Sequence, residues 1–559
     1  MIAGQSMLEA KPVPKIANVI NRNSLFAVGA LLLVLALQVS LVINRGINWD
    51  EFWHYSLTVQ AANGTLDQPL QTFFTRLFAW VPGLPGNPVD HIVLIRFFMF
   101  GCELVTIVAI IGIAAKFTDL TNALLCGLAY VSAGFVFQHG TSFRFDPQAT
   151  ALLMGSLWVL ATRRTSLRWF AVAGVFAGLA TLITIKAVLY APAFAGVMWW
   201  RWNLQARDRK YLIGTALMAI MAATVFGTLY VMHAQAIVDS AGRSAKDIAG
   251  ASANKMFSLT NHPYWRANIK GALLAPVLAV MAFATPLLLL ASQRNWPERI
   301  ALIGLWVPLT TLLFYHNTAP YFSVFMLAPV VVAVAAVMAP ATARYGAPVV
   351  AMAFAGGALA TFLFEQSSTL DKQRQIVSAA QAIFGTPVAY FDDCAMIGPF
   401  PKANAFMTPW GTERYLRGET PSMIASMERR PVPIILANSD IFTDALTTTK
   451  PVPAFLPADL AMMRQTYLHF WGPIWVAGFE LRASDTNQTI TVRVPGPYTF
   501  TGDGTIMVDG KDLKTGAVVD LIRGSHTISN TLAPARLVWG NHLTPPTAPP
   551  PALPYFHAF

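Results

Sequence analysis

Two adjacent carboxylates follow the first long apolar run of the chain. Asp50 and Glu51 stand in the sequence NWDEFWHY, residues 48–55. Carboxylates at a membrane surface cost free energy, so they are expected to be either solvated or functional. Aromatic neighbours raise the basicity of a carboxylate by excluding water. The segment therefore predicts either a catalytic pair, with His54 as a candidate substrate ligand, or an interfacial aromatic belt beside two solvated acids.

A second charged spot stands in a short loop before a predicted helix. The sequence SFRFDP, residues 142–147, places Arg144 two residues before Asp146 and ends on a proline that can begin a helix. Asp146 is a catalytic candidate and Arg144 a candidate substrate ligand. The alternative is an aspartate N-cap with a surface ion pair worth about 0–1 kcal/mol.

Two further loops carry polar groups that could bind a substrate. Lys186 stands in a tight turn between two apolar runs, where its ammonium could hold a phosphate or extend to the interface. The sequence YHNTAPYF, residues 315–322, contains His316 and Tyr321. His316 could donate to a phosphate or a sugar hydroxyl, although a single loop histidine can also be structural.

The long loop 232–270 is basic and contains two adjacent aromatic residues, Tyr264 and Trp265. This composition suits lipid headgroups or a lipid phosphate, and plain solvation is the alternative. Its basic residues are Arg243, Lys246, Lys255, Arg266 and Lys270, of which Arg243, Lys246 and Arg266 are the candidate substrate ligands.

The elements that must position these residues are membrane helices. Of the 559 residues, 55% are hydrophobic and 12% are charged, against roughly 25% charged in soluble domains. Long apolar runs predict a polytopic membrane protein and exclude a soluble enzyme, a disordered chain and a coiled coil. The net charge of +11 arises before residue 366, where 24 basic residues face 13 acidic ones. It therefore reflects topology-setting loops and argues against nucleic-acid binding.

The sequence predicts eleven membrane spans and a cytoplasmic N-terminal tail, residues 1–23. The first span has no signal-peptide cleavage site after it and is interpreted as retained. Basic loops orient the helical domain, residues 24–364, so that every candidate site residue lies on the outer side. The predicted spans are 24–43, 92–115, 119–138, 147–162, 168–183, 187–201, 211–231, 271–292, 298–314, 320–339 and 346–364.

The remaining chain predicts an external region with two parts and a tail. Residues 365–470 indicate an α/β region, and residues 471–540 show period-two runs with Gly-Asp-Gly and Asp-Gly turns, which favour a β-sandwich. The tail, residues 541–559, is proline-rich and predicted to be extended. Three separated cysteines predict neither a disulfide framework nor a metal set.

The sequence lacks the common motifs for nucleotide binding and for metalloprotease or serine hydrolase catalysis. It contains no P-loop, no GxGxxG after a strand, no HExxH and no nucleophile elbow.

Glu103 lies inside a predicted span, seven residues after Arg96 and on the same helical face. It is interpreted as structural, because intramembrane acids are usually paired.

In combination, these motifs resemble the GT-C superfamily of integral-membrane glycosyltransferases. The resemblance is strongest to the branch of bacterial aminoarabinose and galacturonic acid transferases and protein O-mannosyltransferases, and it covers residues 24–364. It is carried by Asp50-Glu51 after span one, the Arg144-x-Asp146 loop, Lys186 after a Gly/Ala/Leu-rich span, and the loop His316 to Pro320-Tyr321.

The resemblance implies a polyprenyl-phosphate-linked sugar as donor, transferred outside the membrane to a lipid, glycan or protein acceptor. It implies that Asp50 is the catalytic base or a metal-positioning group, that Glu51 supports it and that Asp146 is the second loop acid. A divalent metal at Asp50 and Glu51 is left open, and the sequence requires none. The candidates for the carrier phosphate are Arg144, Lys186 and His316.

The expected location is a bacterial inner membrane, with the active site and the C-terminal region in the periplasm. Base-assisted displacement at the sugar carbon should invert its configuration. The alternatives are a glycan polymerase or ligase using a lipid-linked donor, and a non-enzymatic lipid or glycan transporter. A transporter should show an inverted repeat and broken midplane helices, and the sequence indicates neither.

Overall fold

The computed structural model describes residues 21–68, 71–237, 263–365, 368–483, 487–529, 531 and 533–556. Arg243, Lys246, Lys255 and nearly all of the predicted cytoplasmic tail lie outside these ranges. A helical part is followed by a region of mixed helices and strands, which confirms the predicted order of a membrane-type helical domain and a β-containing C-terminal region.

The helical part contains fifteen α-helices within the described ranges. They are α1 Arg22–Asn44, α2 Trp49–Ala62, α3 Pro88–Ala114, α4 Leu120–Ser132, α5 Gly134–His139, α6 Phe145–Thr162, α7 Leu167–Ile183, α8 Ala191–Leu204, α9 Arg209–Gln235, α10 Trp265–Leu274, α11 Pro276–Ala291, α12 Trp296–Trp306, α13 Phe322–Ala333, α14 Ala335–Tyr345 and α15 Ala347–Leu363. Short 3₁₀ helices cover Phe73–Phe78, Val81–Gly83, Ile185–Tyr190 and Val307–Leu313.

Three of these helices, α1, α3 and α9, are long and apolar enough to cross a membrane. Two bent pairs, α10 with α11 and α13 with α14, also qualify if each pair forms one span. All eleven predicted spans fall on helical segments, but several of those helices are short or interrupted. The count of eleven and the placement in the membrane therefore stay predictions.

The two bent pairs are broken helices, a feature that the sequence did not indicate. The bend is 103° between α10 and α11 and 65° between α13 and α14. Ala275, with φ −137° and ψ 56°, leaves the helical region directly before Pro276, which can begin a helix but cannot donate a backbone hydrogen bond. Val334 joins the second pair with φ −60° and ψ −16°, a 3₁₀-like geometry.

Close glycine contacts fix the turn that carries Lys186. A Cβ atom on Gly174 of α7 would lie 2.5 Å from the Met218 carbonyl oxygen of α9. A Cβ atom on Gly304 of α12 would lie 2.5 Å from the Pro192 carbonyl oxygen of α8. Small residues let the backbones approach this closely, so the helices on both sides of the Lys186 turn are held by neighbouring helices.

The C-terminal region adds helices and two sheets. Its helices are α16 Thr369–Phe384, α17 Pro409–Leu416, α18 Met423–Arg429, α19 Asp440–Thr447 and α20 Pro457–Thr466. Its strands are β1 Tyr390–Phe391, β2 Ile434–Leu436, β3 Tyr467–Trp471, β4 Ile474–Leu481, β5 Gln488–Val492, β6 Gly496–Thr501, β7 Thr505–Val508, β8 Lys511–Lys514, β9 Val518–Leu521, β10 Gly524–Ser529 and β11 Ala535–Trp539.

One sheet is continuous across the predicted boundary at residue 470. It has the order β1-β2-β4-β11-β6-β9, and β3 pairs with β4 beside this path. The β1–β2 pair is parallel, whereas β2, β3 and β11 all pair antiparallel with β4. The second sheet, β5-β10-β7-β8, shares a core with the first through residues such as Phe500 and Ile528, which gives a sandwich.

The C-terminal region packs directly on the start of the helical part. A single apolar core includes Phe52 and Tyr55 of α2 together with Tyr390, Ile397 and Ile434 of the C-terminal region. Gly398 lies against the Tyr55 ring, where a Cβ atom would come within 2.6 Å of Cδ1. The C-terminal region thus forms one wall around α2, which carries the first pair of carboxylates.

Candidate active site

The start of α2 is set by its local sequence. The Asn48 side chain accepts a hydrogen bond from the Asp50 amide at 2.9 Å, and the Glu51 carboxylate accepts one from the Asn48 amide at 2.9 Å. This capping box satisfies free N–H groups of the first turn. Carboxylates at this position also interact favourably with the helix dipole.

Glu51 is a fully engaged, buried carboxylate. Arg96 of α3 donates to both of its oxygens, at 2.8 Å from Nε and 2.6 Å from Nη2, and the Phe143 amide donates at 2.8 Å. Burial alone would raise its pKa, but the adjacent Arg96 guanidinium holds the pKa of Glu51 below its ordinary value. Glu51 therefore joins α2, α3 and the loop before α6 as an ionised structural group.

Arg96 was missed as a site residue by the sequence analysis, which placed it on a helical face with Glu103. Arg96 turns to Glu51 and to the carbonyls of Arg45 and Gly46, at 2.7 and 3.0 Å. Glu103 lies beside Gly140, where a Cβ atom would collide with its carboxylate. The sequence places Arg96 on one face of α3, but it does not show that Glu51 lies opposite that face.

Four charged side chains from three separate segments form a continuous ion chain. Lys186 contacts Asp146, Asp146 contacts Arg144 at 3.4 Å, and Arg144 contacts Asp50. We call Lys186–Asp146–Arg144–Asp50 the ion chain. The structure therefore brings together the predicted residues of the first outer loop, the Arg-x-Asp loop and the lysine turn.

Aromatic rings surround the cationic members of the ion chain. The Arg144 guanidinium carbon lies 3.3 Å from the centroid of the Tyr321 ring. The Lys186 ammonium lies 4.5 Å from the Phe145 centroid and 5.6 Å from that of Phe322. Such cation–π contacts partly replace lost solvation. With 1% of its surface exposed, Lys186 contacts Asp146 rather than the protein surface.

Asp50 differs from the other two carboxylates in its accessibility. It is 9% exposed, against 0% for Glu51 and 1% for Asp146. Burial raises the pKa of Asp50 above its ordinary value, although the Arg144 guanidinium opposes this shift. Asp50 is thus the most accessible of the three acids, and its raised pKa favours proton uptake, two properties that a general base requires.

His54 lies beside the ion chain, whereas His316 contacts the C-terminal region. His54 packs edge-on against Phe74 and Phe145, with ring centroids 5.2 and 5.5 Å away. Burial, together with nearby Arg144 and Lys186, lowers the pKa of His54 well below its ordinary value, so His54 is neutral at pH 7. His316 packs edge-on against Trp410 of α17 at 4.4 Å.

The C-terminal region contributes residues that the sequence analysis did not select. Phe406 stacks on Trp53 of α2 at 5.1 Å, and Trp410 covers His316. Burial raises the pKa of Asp393 to about 6, against the opposing charge of Lys402 and with smaller contributions from the charges of Asp392 and Asp50. Two adjacent acids directly after a strand, at 392–393, were a signal that could have marked this segment as part of the site. Because they lie far from Asp50 in the sequence, the sequence analysis did not connect them with it.

The remaining candidates are less closely connected with the ion chain. Arg266 is exposed at the first turn of α10, with its guanidinium carbon 5.4 Å from the Trp265 centroid. Arg243 and Lys246 lie outside the described residues. Within the described ranges, no group of three or more His, Cys, Asp or Glu side chains is placed to hold a metal ion.

Comparisons with known proteins give one family match and several similar structures. Residues 69–227 match the family model described as dolichyl-phosphate-mannose-protein mannosyltransferase. The structure is similar to that of ArnT from Cupriavidus metallidurans bound to undecaprenyl phosphate, with a TM-score of 0.50 and 13% identity over 74% of this chain and 92% of ArnT. No curated protein sequence matches the chain.

Two further solved structures are similar at lower scores. The Archaeoglobus fulgidus oligosaccharyltransferase has a TM-score of 0.46 and 13% identity over 85% of this chain and 73% of its own. The Saccharomyces cerevisiae protein O-mannosyltransferase Pmt1-Pmt2 complex has a TM-score of 0.33 and 13% identity over 43% and 36%. The family match over residues 69–227 and the fold shared with ArnT bear out the predicted resemblance to the GT-C superfamily of membrane glycosyltransferases.

Proposed function

We propose that this chain, which has the GT-C fold, transfers a sugar from a polyprenyl-phosphate carrier to an acceptor hydroxyl on the outer side of a bacterial inner membrane. The observation that carries the proposal is the ion chain. It joins one reachable carboxylate, Asp50, to a cation, Arg144, in a water-poor site. Base and cation are the two groups that glycosyl transfer from a lipid phosphate needs.

Asp50 acts as the base in this proposal. Its carboxylate takes the proton from the acceptor hydroxyl while the acceptor oxygen bonds to the sugar carbon. The bond from that carbon to the phosphate oxygen breaks at the same time, and the carrier phosphate leaves as an anion. Because one base assists one displacement, the configuration at the sugar carbon inverts. Glu51, held by Arg96, is a positioning residue for the first turn of α2.

Arg144 is the proposed contact for the carrier phosphate. Its guanidinium has five N–H donors, and its described partners are Asp50, Asp146 and the Tyr321 ring. A phosphate can add to this set or replace one carboxylate, and planar guanidinium groups suit phosphate oxygens. Lys186 neutralises Asp146 and so leaves Arg144 more positive. Tyr321, which contacts Arg144, and His316 of the same loop are further candidate contacts.

An apolar groove offers a place for the carrier's hydrocarbon tail. It has a volume of about 380 Å³ and is lined by residues of α5, α10, α11 and α13, including Phe135, Leu273 and Phe283. Leu273 and Phe283 are 72% and 65% exposed, as expected for side chains that face lipid. Asn268 of the groove donates to Thr318 at 2.9 Å, which connects the groove to the loop that carries Tyr321.

A binding experiment with undecaprenyl phosphate tests this function. The purified chain should bind undecaprenyl phosphate at least tenfold more tightly than undecaprenol, the same lipid without phosphate. Arg144→Gln should remove most of that preference. Arg374→Gln is the matched control, because Arg374 is a half-exposed external arginine paired with Asp90 and Asp371.

A turnover measurement completes the test. Undecaprenyl-phosphate-linked sugars presented with lipid, glycan and peptide acceptors should release undecaprenyl phosphate with one acceptor class. Equal binding of phosphate and alcohol by the unmodified chain would overturn the proposal. Release that requires a growing glycan as acceptor would favour the polymerase or ligase alternative.

A further inference from the structure

The proline-rich tail is packed along the C-terminal region. We call residues 548–556 the strap. The Trp471 indole N–H donates to the Ala548 carbonyl at 3.2 Å, and the Gln375 amide of α16 donates to the Pro549 carbonyl at 2.7 Å. Gly472 lies against Pro550, where a Cβ atom would approach the ring to 2.7 Å. The strap is therefore held at several points.

The strap ends against the turn of α2 that carries the catalytic candidate. Tyr555 is 6% exposed and belongs to the core shared by α2 and the C-terminal region. The Phe556 ring lies 6.0 Å from that of Trp49 and 6.1 Å, edge-on, from that of Phe52. These two residues flank Asp50 at one position before and two positions after it.

A single buried amide connects the strap to the backbone before α2. The Gln373 side chain accepts a hydrogen bond from the Ile47 amide at 2.7 Å and donates to the Ile47 carbonyl at 2.8 Å. It also donates to the Tyr555 carbonyl at 2.7 Å. Ile47 directly precedes Asn48, the N-cap of α2, so Gln373 fastens the strap to the residue next to the capping box.

We infer that the strap is a positioning element for the active site, in which Tyr555 and Phe556 hold the first turn of α2 and thereby the Asp50 carboxylate. A 14-residue helix is marginal on its own, so its position depends on what packs against it. A displacement of about 1 Å in a reacting group can cost about 100-fold in rate. The kinetic consequence rests on the proposed function, whereas the hold on α2 does not.

The test compares Phe556→Ala with Leu553→Ala, a substitution in the same strap at a side chain that is 42% exposed. Hydrogen exchange across residues 49–62 should become about tenfold faster in Phe556→Ala and stay unchanged in Leu553→Ala. In the transfer assay, kcat should fall about 10- to 100-fold in Phe556→Ala while KM for the donor stays within twofold. Phe556→Tyr, which keeps the ring, should restore both measurements.

Several results would overturn the inference. Unchanged exchange in α2 of Phe556→Ala would show that the strap does not hold the helix. An equal effect of Leu553→Ala would show a general effect of the tail, and an increase in donor KM would indicate damage to binding. If Phe556→Ala is too unstable to purify, Phe556→Leu replaces it under the same criteria. Faster exchange in a chain whose unmodified form transfers no sugar would refute the proposed function and leave the hold on α2 supported.

Discussion

Asp50→Asn should abolish transfer without disrupting the fold or the binding of the carrier. The amide keeps the shape of the carboxylate and its place at the first turn of α2, but it cannot accept a proton from the acceptor hydroxyl. Arg144 loses one of its two carboxylate partners and keeps the other, Asp146. The substitution therefore separates chemistry from binding.

The expected magnitudes follow from these contacts. Loss of a general base costs about 10²–10⁴ in rate, or about 2.7–5.4 kcal/mol of barrier. The carrier phosphate no longer competes with the Asp50 charge for Arg144. A hydrogen bond to a charged group contributes about 1.5–3 kcal/mol, so undecaprenyl phosphate should bind about 10- to 100-fold more tightly to the variant.

The assay measures single-turnover transfer and undecaprenyl phosphate affinity on the same preparations. Asp90→Asn is the matched control, because Asp90 is a surface acid with 48% of its side chain exposed and an arginine partner, Arg374. The control should retain both properties. Near-normal turnover in Asp50→Asn would remove Asp50 from the mechanism, and weaker phosphate binding would show that Asp50 supports the carrier site rather than competing with the phosphate.

Four other outcomes are expected. Glu51→Gln should cost about 3–5 kcal/mol in unfolding free energy, because it leaves a buried arginine charge unpaired, whereas exposed Glu480→Gln should cost less than about 1 kcal/mol. Lys186→Ala should weaken undecaprenyl phosphate binding and slow transfer, because Asp146 without its lysine partner neutralises more of the Arg144 charge. The pKa of Asp393 is about 6 in the folded chain, so the folded chain binds this proton more tightly than the unfolded chain does. The free energy of unfolding should therefore fall as the pH rises from about 4 to 6. In thermal unfolding, Asp393→Asn should raise the free energy of unfolding by about 1–3 kcal/mol at pH 7.5 and leave it unchanged at pH 4. A reporter active only in the cytoplasm and fused after Phe559 should be silent.

Local properties of the chain were readable from the sequence. Apolar runs predict the helical part, because burying or embedding apolar side chains does not depend on a particular partner. Period-two patterns and glycine turns predict the β-sandwich for the same kind of reason. The sequence also selected all four members of the ion chain, because charged residues in loops beside apolar helices stand out.

Tertiary structure decided which of these groups meet and which are reachable. Arg96 and Glu51 are 45 positions apart, and Arg144 and Asp50 are 94 apart. Pairing over such distances depends on helix packing, which residue types and spacing do not encode locally. The same packing makes Asp50 the reachable acid, buries Lys186 and brings Phe556 to the turn of α2 from the far end of the chain. Residue type therefore determined which side chains were candidates for catalysis and binding. The packing of separate segments, which excludes water from some of these side chains and not from others, determined the role of each residue.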